Sequence, residues 1–164
     1  MVRVVLLSGY SGSGKDTVGK MMCEDYGFKR FAFADRLKDY CNIKYDIDIN
    51  DDTKNNYRTL LNFEGKLHQR KWSQFLARDI LEWGGSKVVV TDWRFVHEYG
   101  VMKNHFLDIV TVRIHGSTKP TMEFDSEFAL DDFKTFDYHI DNIYGMESLK
   151  LQVDILMNKI NERP

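Results

Sequence analysis

Short continuous runs of apolar residues alternate along this chain with segments of helical periodicity. The runs lie within Arg3 to Leu7 (RVVLL), Lys87 to Asp92 (KVVVTD) and Ile109 to Ile114 (IVTVRI). Such runs are typical of strands that are buried on both faces of a parallel sheet. Phe136 to Ile140 predicts a last strand, and a loop at 141–145 follows it.

Apolar residues recur at helical spacing in six other segments. These segments are Thr17 to Tyr26, Asp35 to Cys41, Thr53 to Gly65, Lys71 to Trp83, Phe95 to Asn104 and Met146 to Ile160. Strands and helices therefore alternate, which indicates an α/β protein. We predict a three-layer sandwich in which about five parallel strands are flanked by helices.

The composition predicts one globular domain over residues 1–164, because 43% of the residues are hydrophobic and 29% are charged. A formal charge of -2 and an isoelectric point near 6.2 argue against binding of a nucleic acid polymer. Two cysteines are too few for a disulfide framework, and no apolar stretch could span a bilayer. We expect a cytoplasmic protein with small-molecule partners and no membrane partner, and the sequence leaves homodimer formation open.

Gly9 to Thr17 reads GYSGSGKDT and matches the pattern G-x-x-x-x-G-K between a predicted strand and a predicted helix. In this context glycines let the backbone wrap a phosphate, and a lysine reaches the outer phosphates. A tight glycine turn with an exposed lysine is the alternative, but it does not account for the flanking strand and helix. The predicted ATP-binding residues of this phosphate loop are Ser11, Gly12, Ser13, Gly14, Lys15, Asp16 and Thr17.

The residue after Lys15 departs from the pattern, because it is Asp16 where Ser or Thr is usual, and Thr17 comes one position later. Asp16 either coordinates Mg²⁺ or its waters, or favours the start of the helix. Asp92 ends the third predicted strand, which suits a second acid near the metal. The predicted metal residues are therefore Asp16, Thr17 and Asp92, although Asp92 could instead cap the following helix.

Basic residues are candidates for contacts with phosphate groups. Arg94 lies two positions after Asp92 and could clamp phosphate oxygens, or it could be a solvated surface residue. Lys38, Arg58 and Arg78 lie on predicted helices, where each alone is typical of a solvated face.

The motifs GKDT, TDWR, DSE and FDYHIDN together resemble the phage-type deoxynucleoside monophosphate kinases and their relatives, the animal-type phosphomevalonate kinases. The likeness covers nearly the whole chain and implies a P-loop fold with strand order 2-3-1-4-5. It also implies ATP and Mg²⁺ as cofactors, a helical substrate-binding region at about 36–83 and a short lid at about 115–132.

The resemblance assigns further residues to the site. Lys15, Asp92 and Arg94 would be catalytic, and Arg113 and Asn142 would contact ATP. The implied substrate contacts are Lys38, Arg58, Asn62, Trp72, Arg94 and Glu127. One departure is that 115–124 contains Lys119 but no arginine, where many relatives have an arginine-bearing lid.

The predicted function is ATP-dependent phosphoryl transfer to a deoxynucleoside monophosphate. Phosphomevalonate kinase is the first alternative, because its acceptor is also a phosphate monoester. A regulatory module that holds ATP without turnover is the second. A GTPase switch is disfavoured, because the sequence has no N-K-x-D guanine signature and no D-x-x-G after the third strand.

Overall fold

The computed structural model describes residues 1–50, 52–117, 126 and 128–163. Its strands are β1 (Arg3–Ser8), β2 (Lys29–Phe31), β3 (Lys87–Val90), β4 (Asp108–Gly116) and β5 (Tyr138–Asn142). Its helices are α1 (Lys15–Tyr26), α2 (Phe33–Tyr45), α3 (Arg58–Leu67), α4 (Gln69–Trp83), α5 (Val96–His105) and α6 (Met146–Asn161). In this part of the chain, no helix has both the length and the apolar character that crossing a bilayer requires.

The five strands form one sheet in the order β2-β3-β1-β4-β5, and every neighbouring pair is parallel. The predicted α/β class, the parallel sheet and the strand order are confirmed. Parallel strands end at the same edge of a sheet, so the carboxyl ends of β1, β3 and β4 meet the phosphate loop on one rim.

Side chains that alternate along β1 enter two separate cores. Val5 and Leu7 face α1 and α6, and they pack with Val18 and Met22. Val4 and Leu6 face the other side, where α4 and α5 cover the sheet. Burial on both faces explains why β1 is a continuous apolar run and not an alternating one.

A third, smaller apolar cluster holds the helical region beside the sheet. Leu37 and Cys41 of α2 pack against Trp72 of α4. On the same side, the buried carboxylate of Glu64 in α3 accepts hydrogen bonds from Lys44 (2.7 Å) and from the Tyr45 hydroxyl. These contacts join α2, α3 and α4 into one wall that faces the phosphate loop.

Two elements differ from the sequence-based prediction by more than a shift of a few residues at an end. The strand β2 was not located, because Lys29–Phe31 is three residues long and has exposed Lys29 and Arg30 on a sheet edge instead of an apolar run. The helix α3 begins at Arg58 and not at Thr53, because residues 52–57 form turns. In those turns, Asn50 Oδ1 accepts the Thr53 N–H (3.1 Å), so a side chain competes with the helix for the backbone.

Candidate active site

The phosphate loop connects β1 to α1, and its shape depends on glycine. Gly9, Gly12 and Gly14 have φ of 156°, 75° and 101°, and Gly14 directly precedes α1. A Cβ atom on Gly14 would lie 2.3 Å from Asn142 Nδ2, so a side chain at this position meets both backbone strain and a clash. The loop therefore presents backbone N–H groups and the start of α1 to the same space.

Lys15 lies across the phosphate loop. Its ammonium group donates hydrogen bonds to the carbonyl oxygens of Gly9 and Tyr10, both at 2.7 Å. Within the loop, the Oγ atom of Ser13 is buried without a hydrogen-bond partner. A buried hydroxyl that lacks a partner is costly, and a phosphate oxygen at the loop would supply the missing bond.

A cavity of about 290 Å³ adjoins the phosphate loop and extends to the wall of α2, α3 and α4. Ten of the residues predicted for the site line it: Ser11, Gly12, Lys15, Asp16, Lys38, Arg58, Asn62, Trp72, Asp92 and Arg94. The structure thus brings together the predicted phosphate-binding, metal and substrate residues. Ser13, Gly14, Thr17, Arg113 and Asn142 lie outside this lining.

The lining of this cavity is strongly cationic. Arg30, Lys54 and Lys66 add to the four predicted basic residues, which gives seven Lys or Arg side chains among the described lining residues. Three acids, Asp16, Asp92 and Glu98, line the same space. An excess of positive charge in a concave site favours a ligand with several negative charges. The sequence did not indicate Arg30, Lys54 and Lys66, because none of the three belongs to a motif that distinguishes it from a solvated surface residue.

Asp92 lies between the phosphate loop and α2. Its two carboxylate oxygens accept the backbone N–H groups of Phe33 (2.8 Å) and Ala34 (2.9 Å), the first two residues of α2. Burial raises the pKa of Asp92, against the effect of these two hydrogen bonds. The helix that Asp92 caps is therefore α2 and not α5, the helix that follows it in sequence. The remaining lone pairs of the carboxylate are available to the cavity.

Glu98 is a buried carboxyl that the sequence analysis did not select. One of its oxygens accepts the backbone N–H groups of Arg94 (2.8 Å) and Phe95 (2.9 Å), so it holds the turn that carries Arg94. Burial raises the pKa of Glu98 to about 8. A Glu three residues after a helix cap is a recognised start signal, but Phe95 at the cap position hides it because Ser or Thr is usual there.

Replacing Glu98 by Gln is expected to change the pH dependence of stability. The folded-state pKa lies above the ordinary value of 4.5, so the folded protein binds this proton more tightly than the unfolded chain. The stability that this proton provides is lost as the pH rises towards 8. From pH 5.5 to pH 8, the free energy of unfolding of the wild type should therefore fall by about 3 kcal/mol relative to that of Glu98→Gln. Urea denaturation of both proteins at the two pH values measures this difference.

Glu147 provides a matched control for this measurement, because it is an exposed acid in the first turn of α6. Glu147→Gln should differ from the wild type by less than about 0.5 kcal/mol at both pH values. An equal stability difference between wild type and Glu98→Gln at pH 5.5 and pH 8 would contradict the assignment of a buried, proton-binding Glu98.

Arg113 is buried at the end of β4 and is held by protein groups. It donates to Ser8 Oγ (3.0 Å) and to the carboxylate of Asp131 (2.6 Å), and its guanidinium lies 4.9 Å from the centre of the Tyr10 ring. Tyr10 also donates to Asp131 (2.7 Å). Arg113 thus links the phosphate loop to the segment that contains Asp131.

Arg113, Lys15 and Arg94 also line a second, polar cavity of about 10 Å³ beside Gly9. This volume accommodates roughly one water-sized group. The two cavities share Lys15, Arg94 and Ser126, so Arg94 reaches both the large cavity and the space next to the loop.

The last predicted ATP contact, Asn142, lies at the end of β5. Its side-chain amide donates to the Ser13 carbonyl oxygen (3.0 Å), so it supports the phosphate loop from the side of β5. Glu127 and residues 118–125, which together make up half of the predicted lid, lie outside the described residues. Ser126 approaches α3, where its hydroxyl is 3.5 Å from Asn62 Oδ1.

Oxygen atoms are the donors that the site offers to a metal. Asp16 and Asp92 line the large cavity, and Thr17 follows in the first turn of α1. Mg²⁺ prefers such oxygen ligands and needs only one or two carboxylates when it is carried on phosphates. No group of three or more His, Cys, Asp and Glu residues within the described part of the chain could hold a metal alone. The donor set therefore fits a magnesium ion bound together with a nucleotide.

Solved structures with the same fold span almost the whole chain. An APS kinase from Mycobacterium tuberculosis has 14% identity and a TM-score of 0.57, covering 99% of this chain and 98% of its own. A shikimate kinase from Acinetobacter baumannii, solved with shikimate, has 14% identity and a TM-score of 0.57, covering 100% and 97%. A sugar kinase from Janibacter has 13% identity and a TM-score of 0.56, covering 98% and 96%. The fold is that of the P-loop kinases.

The match to a family model covers less of the chain than the structural matches do, but the family's description names a substrate class. The family model for deoxynucleotide monophosphate kinase matches residues 3–71, which is less than half of the chain and runs from β1 through α3. This match confirms the resemblance that the sequence motifs indicated. No curated protein gives a significant match.

Proposed function

We propose that this protein transfers the γ-phosphoryl group of ATP to the phosphate of a deoxynucleoside monophosphate. The proposal is supported mainly by one continuous cavity, which joins the phosphate loop to the cationic wall of α2 and α3. A kinase of this kind needs two phosphate sites that share one space, so that donor and acceptor can approach in line. The family match over residues 3–71 supports the nucleotide acceptor.

The donor phosphates of ATP bind at the phosphate loop. Backbone N–H groups around Gly12 and Gly14 hold them, together with Ser11, Ser13 and the N-terminus of α1. Lys15 then exchanges its bonds to the Gly9 and Tyr10 carbonyls for bonds to the β- and γ-phosphates. Asn142 keeps the loop in shape through Ser13, and Arg113 acts beside the loop, next to Tyr10.

Asp16, Thr17 and Asp92 are the residues that would hold magnesium. A bound Mg²⁺ neutralises charge on the β- and γ-phosphates. Asp92 has a second task, because its bonds to the N–H groups of Phe33 and Ala34 fix the start of α2. The same carboxylate thereby couples the metal site to the helix that carries Lys38.

The acceptor phosphate is an anion at neutral pH, so the reaction needs no general base and depends on cations that overcome repulsion between phosphates. Arg94 and Arg58 provide this charge, with Lys38 as a further contact. Arg94 is best placed for the transferring group, because it lines the cavity beside Lys15 as well as the large one. Asn62, Trp72 and Glu127 complete the proposed acceptor contacts.

A coupled assay of ADP formation tests the proposal with Mg²⁺-ATP and a panel of acceptors. The panel contains the four common deoxynucleoside monophosphates, their ribose forms, phosphomevalonate, shikimate and gluconate. We expect turnover with at least one deoxynucleoside monophosphate. Turnover only with phosphomevalonate or only with a hydroxyl acceptor would replace the proposed function. ATP binding without turnover of any acceptor would favour a regulatory module.

A further inference from the structure

Three buried polar atoms that face no hydrogen-bond partner belong to residues that line the large cavity. They are Trp72 Nε1, Thr91 Oγ1 and His97 Nε2. Thr91 lies next to Asp92, at the rim that carries the phosphate loop. Trp72 and His97 instead belong to α4 and α5, which pack against each other. Because a buried polar atom without a partner is costly, these two atoms indicate a ligand that bonds to them.

The two atoms offer opposite hydrogen-bonding roles. The indole Nε1 of Trp72 is a donor only. The Gln69 backbone raises the pKa of His97, which is the effect of a carbonyl oxygen that faces a ring N–H. Burial nevertheless lowers the pKa of His97, and the ring is neutral near pH 7. Since Nε2 has no partner, Nδ1 carries the proton and Nε2 is an acceptor.

Aromatic rings fix both side chains. The Trp72 ring packs on Tyr40 and Phe75, with centroids 5.4 and 6.0 Å apart. The His97 ring stacks on Phe95 at 5.4 Å, with 24° between the planes. Two residues of the cavity lining are therefore held in place by ring packing, and one has an uncharged donor and the other an uncharged acceptor without a partner.

We infer that Trp72 and His97 form the subsite for the base of the acceptor, with Trp72 Nε1 donating to an acceptor atom on the base and His97 Nε2 accepting from a donor. A nucleobase carries both groups on its Watson–Crick edge. A carboxylate by itself offers only acceptors and would leave His97 Nε2 without a donor. This inference rests on the proposed function and adds His97 as a specificity-determining residue.

Steady-state kinetics of two variants test the subsite, with the deoxynucleoside monophosphate that the wild type uses best. Trp72→Phe and His97→Phe each keep an aromatic ring and remove one hydrogen-bonding atom. Each should raise the acceptor KM about tenfold, while kcat and the KM for ATP stay within about twofold. His97→Gln, which retains an acceptor oxygen, should restore part of the loss.

The chain offers matched controls for both substitutions. Trp83 lies on α4 and is 41% exposed, and His105 is an exposed residue on α5. Trp83→Phe and His105→Phe should leave the acceptor KM unchanged. Thermal unfolding of all the variants separates a lost contact from a lost fold.

An acceptor analogue methylated at the donor of its Watson–Crick edge gives the most selective readout. The wild type should prefer the unmodified acceptor about tenfold, and Trp72→Phe should keep that preference. His97→Phe should lose it, because the variant has no group that accepts from the donor. A merely structural role of His97 would not produce this pattern.

The outcomes distinguish the two proposals. If the wild type phosphorylates no deoxynucleoside monophosphate, the proposed function fails and the subsite fails with it. If the wild type is active, but both variants keep the wild-type acceptor KM and the preference against the methylated analogue, only the subsite is overturned.

Discussion

Replacing Lys15 by Ala is expected to lower kcat of phosphoryl transfer about 10³-fold. The Lys15 ammonium group is the charge closest to the loop that holds the donor phosphates, and it bonds to Gly9 and Tyr10 at 2.7 Å. In the proposed reaction it would stabilise charge that moves between the β- and γ-phosphates, so its loss should affect the transition state more than binding. The coupled assay at saturating ATP and acceptor measures this effect.

Lys20 provides the control for this substitution. It lies on the same helix, its side chain is 73% exposed, and it forms only an i,i+4 pair with Glu24 at 3.8 Å among the contacts described. Lys20→Ala should keep wild-type activity, and both variants should unfold within about 1 kcal/mol of the wild type. A Lys15→Ala protein that keeps more than a tenth of the wild-type kcat would contradict the role given to Lys15.

Arg94→Gln is expected to lower kcat about 10²- to 10³-fold, with a smaller effect on the KM for ATP. The side chain lines both the large cavity and the small polar cavity beside Lys15, so it would reach the space between the proposed donor and acceptor. Glu98 fixes its backbone, and the neighbouring Trp93 is 1% exposed, so the arginine projects from a rigid turn. A preorganised cation acts on the transferring phosphoryl group without reorganising at the moment of reaction.

Arg78→Gln is the matched control for Arg94, because Arg78 lies on α4 with a 58% exposed side chain and pairs with Glu82. Its activity should equal that of the wild type. A comparable fall of kcat in both variants would show that losing any positive charge lowers activity, whatever its position. An unchanged kcat in Arg94→Gln would remove this residue from the reaction.

The sequence predicted the fold wherever a local pattern was strong. The run in β1 is apolar because α1 and α6 cover one face of the sheet and α4 and α5 cover the other. A continuous apolar run therefore predicts a sheet between two helical layers. The phosphate loop was predictable because its glycines satisfy a backbone demand, as φ of 101° at Gly14 shows. The edge strand β2 has neither signal, because its charged side chains face solvent.

Most features of the site that escaped prediction depend on contacts between distant segments. Asp92 is 59 positions from Phe33, so no local pattern indicates that its carboxylate caps α2. His97 resembles any polar residue on an amphipathic helix, and only the packing of α5 on α4 places it in the lining of the cavity. Glu98 was hidden because Phe95 occupies its cap position. Burial and unmatched polar atoms are properties of the assembled fold, so they become visible only there.

We propose that ATP and a deoxynucleoside monophosphate react in this one cavity. The most direct measurement is to incubate the protein with ATP labelled at the γ-phosphate, Mg²⁺ and each deoxynucleoside monophosphate, and to separate the products by chromatography. We predict label in the terminal phosphate of a deoxynucleoside diphosphate, with an equal amount of ADP, and a rate of labelling about 10³-fold lower with Lys15→Ala. Label that stays in ATP, or is released only as free phosphate with every acceptor, would contradict it.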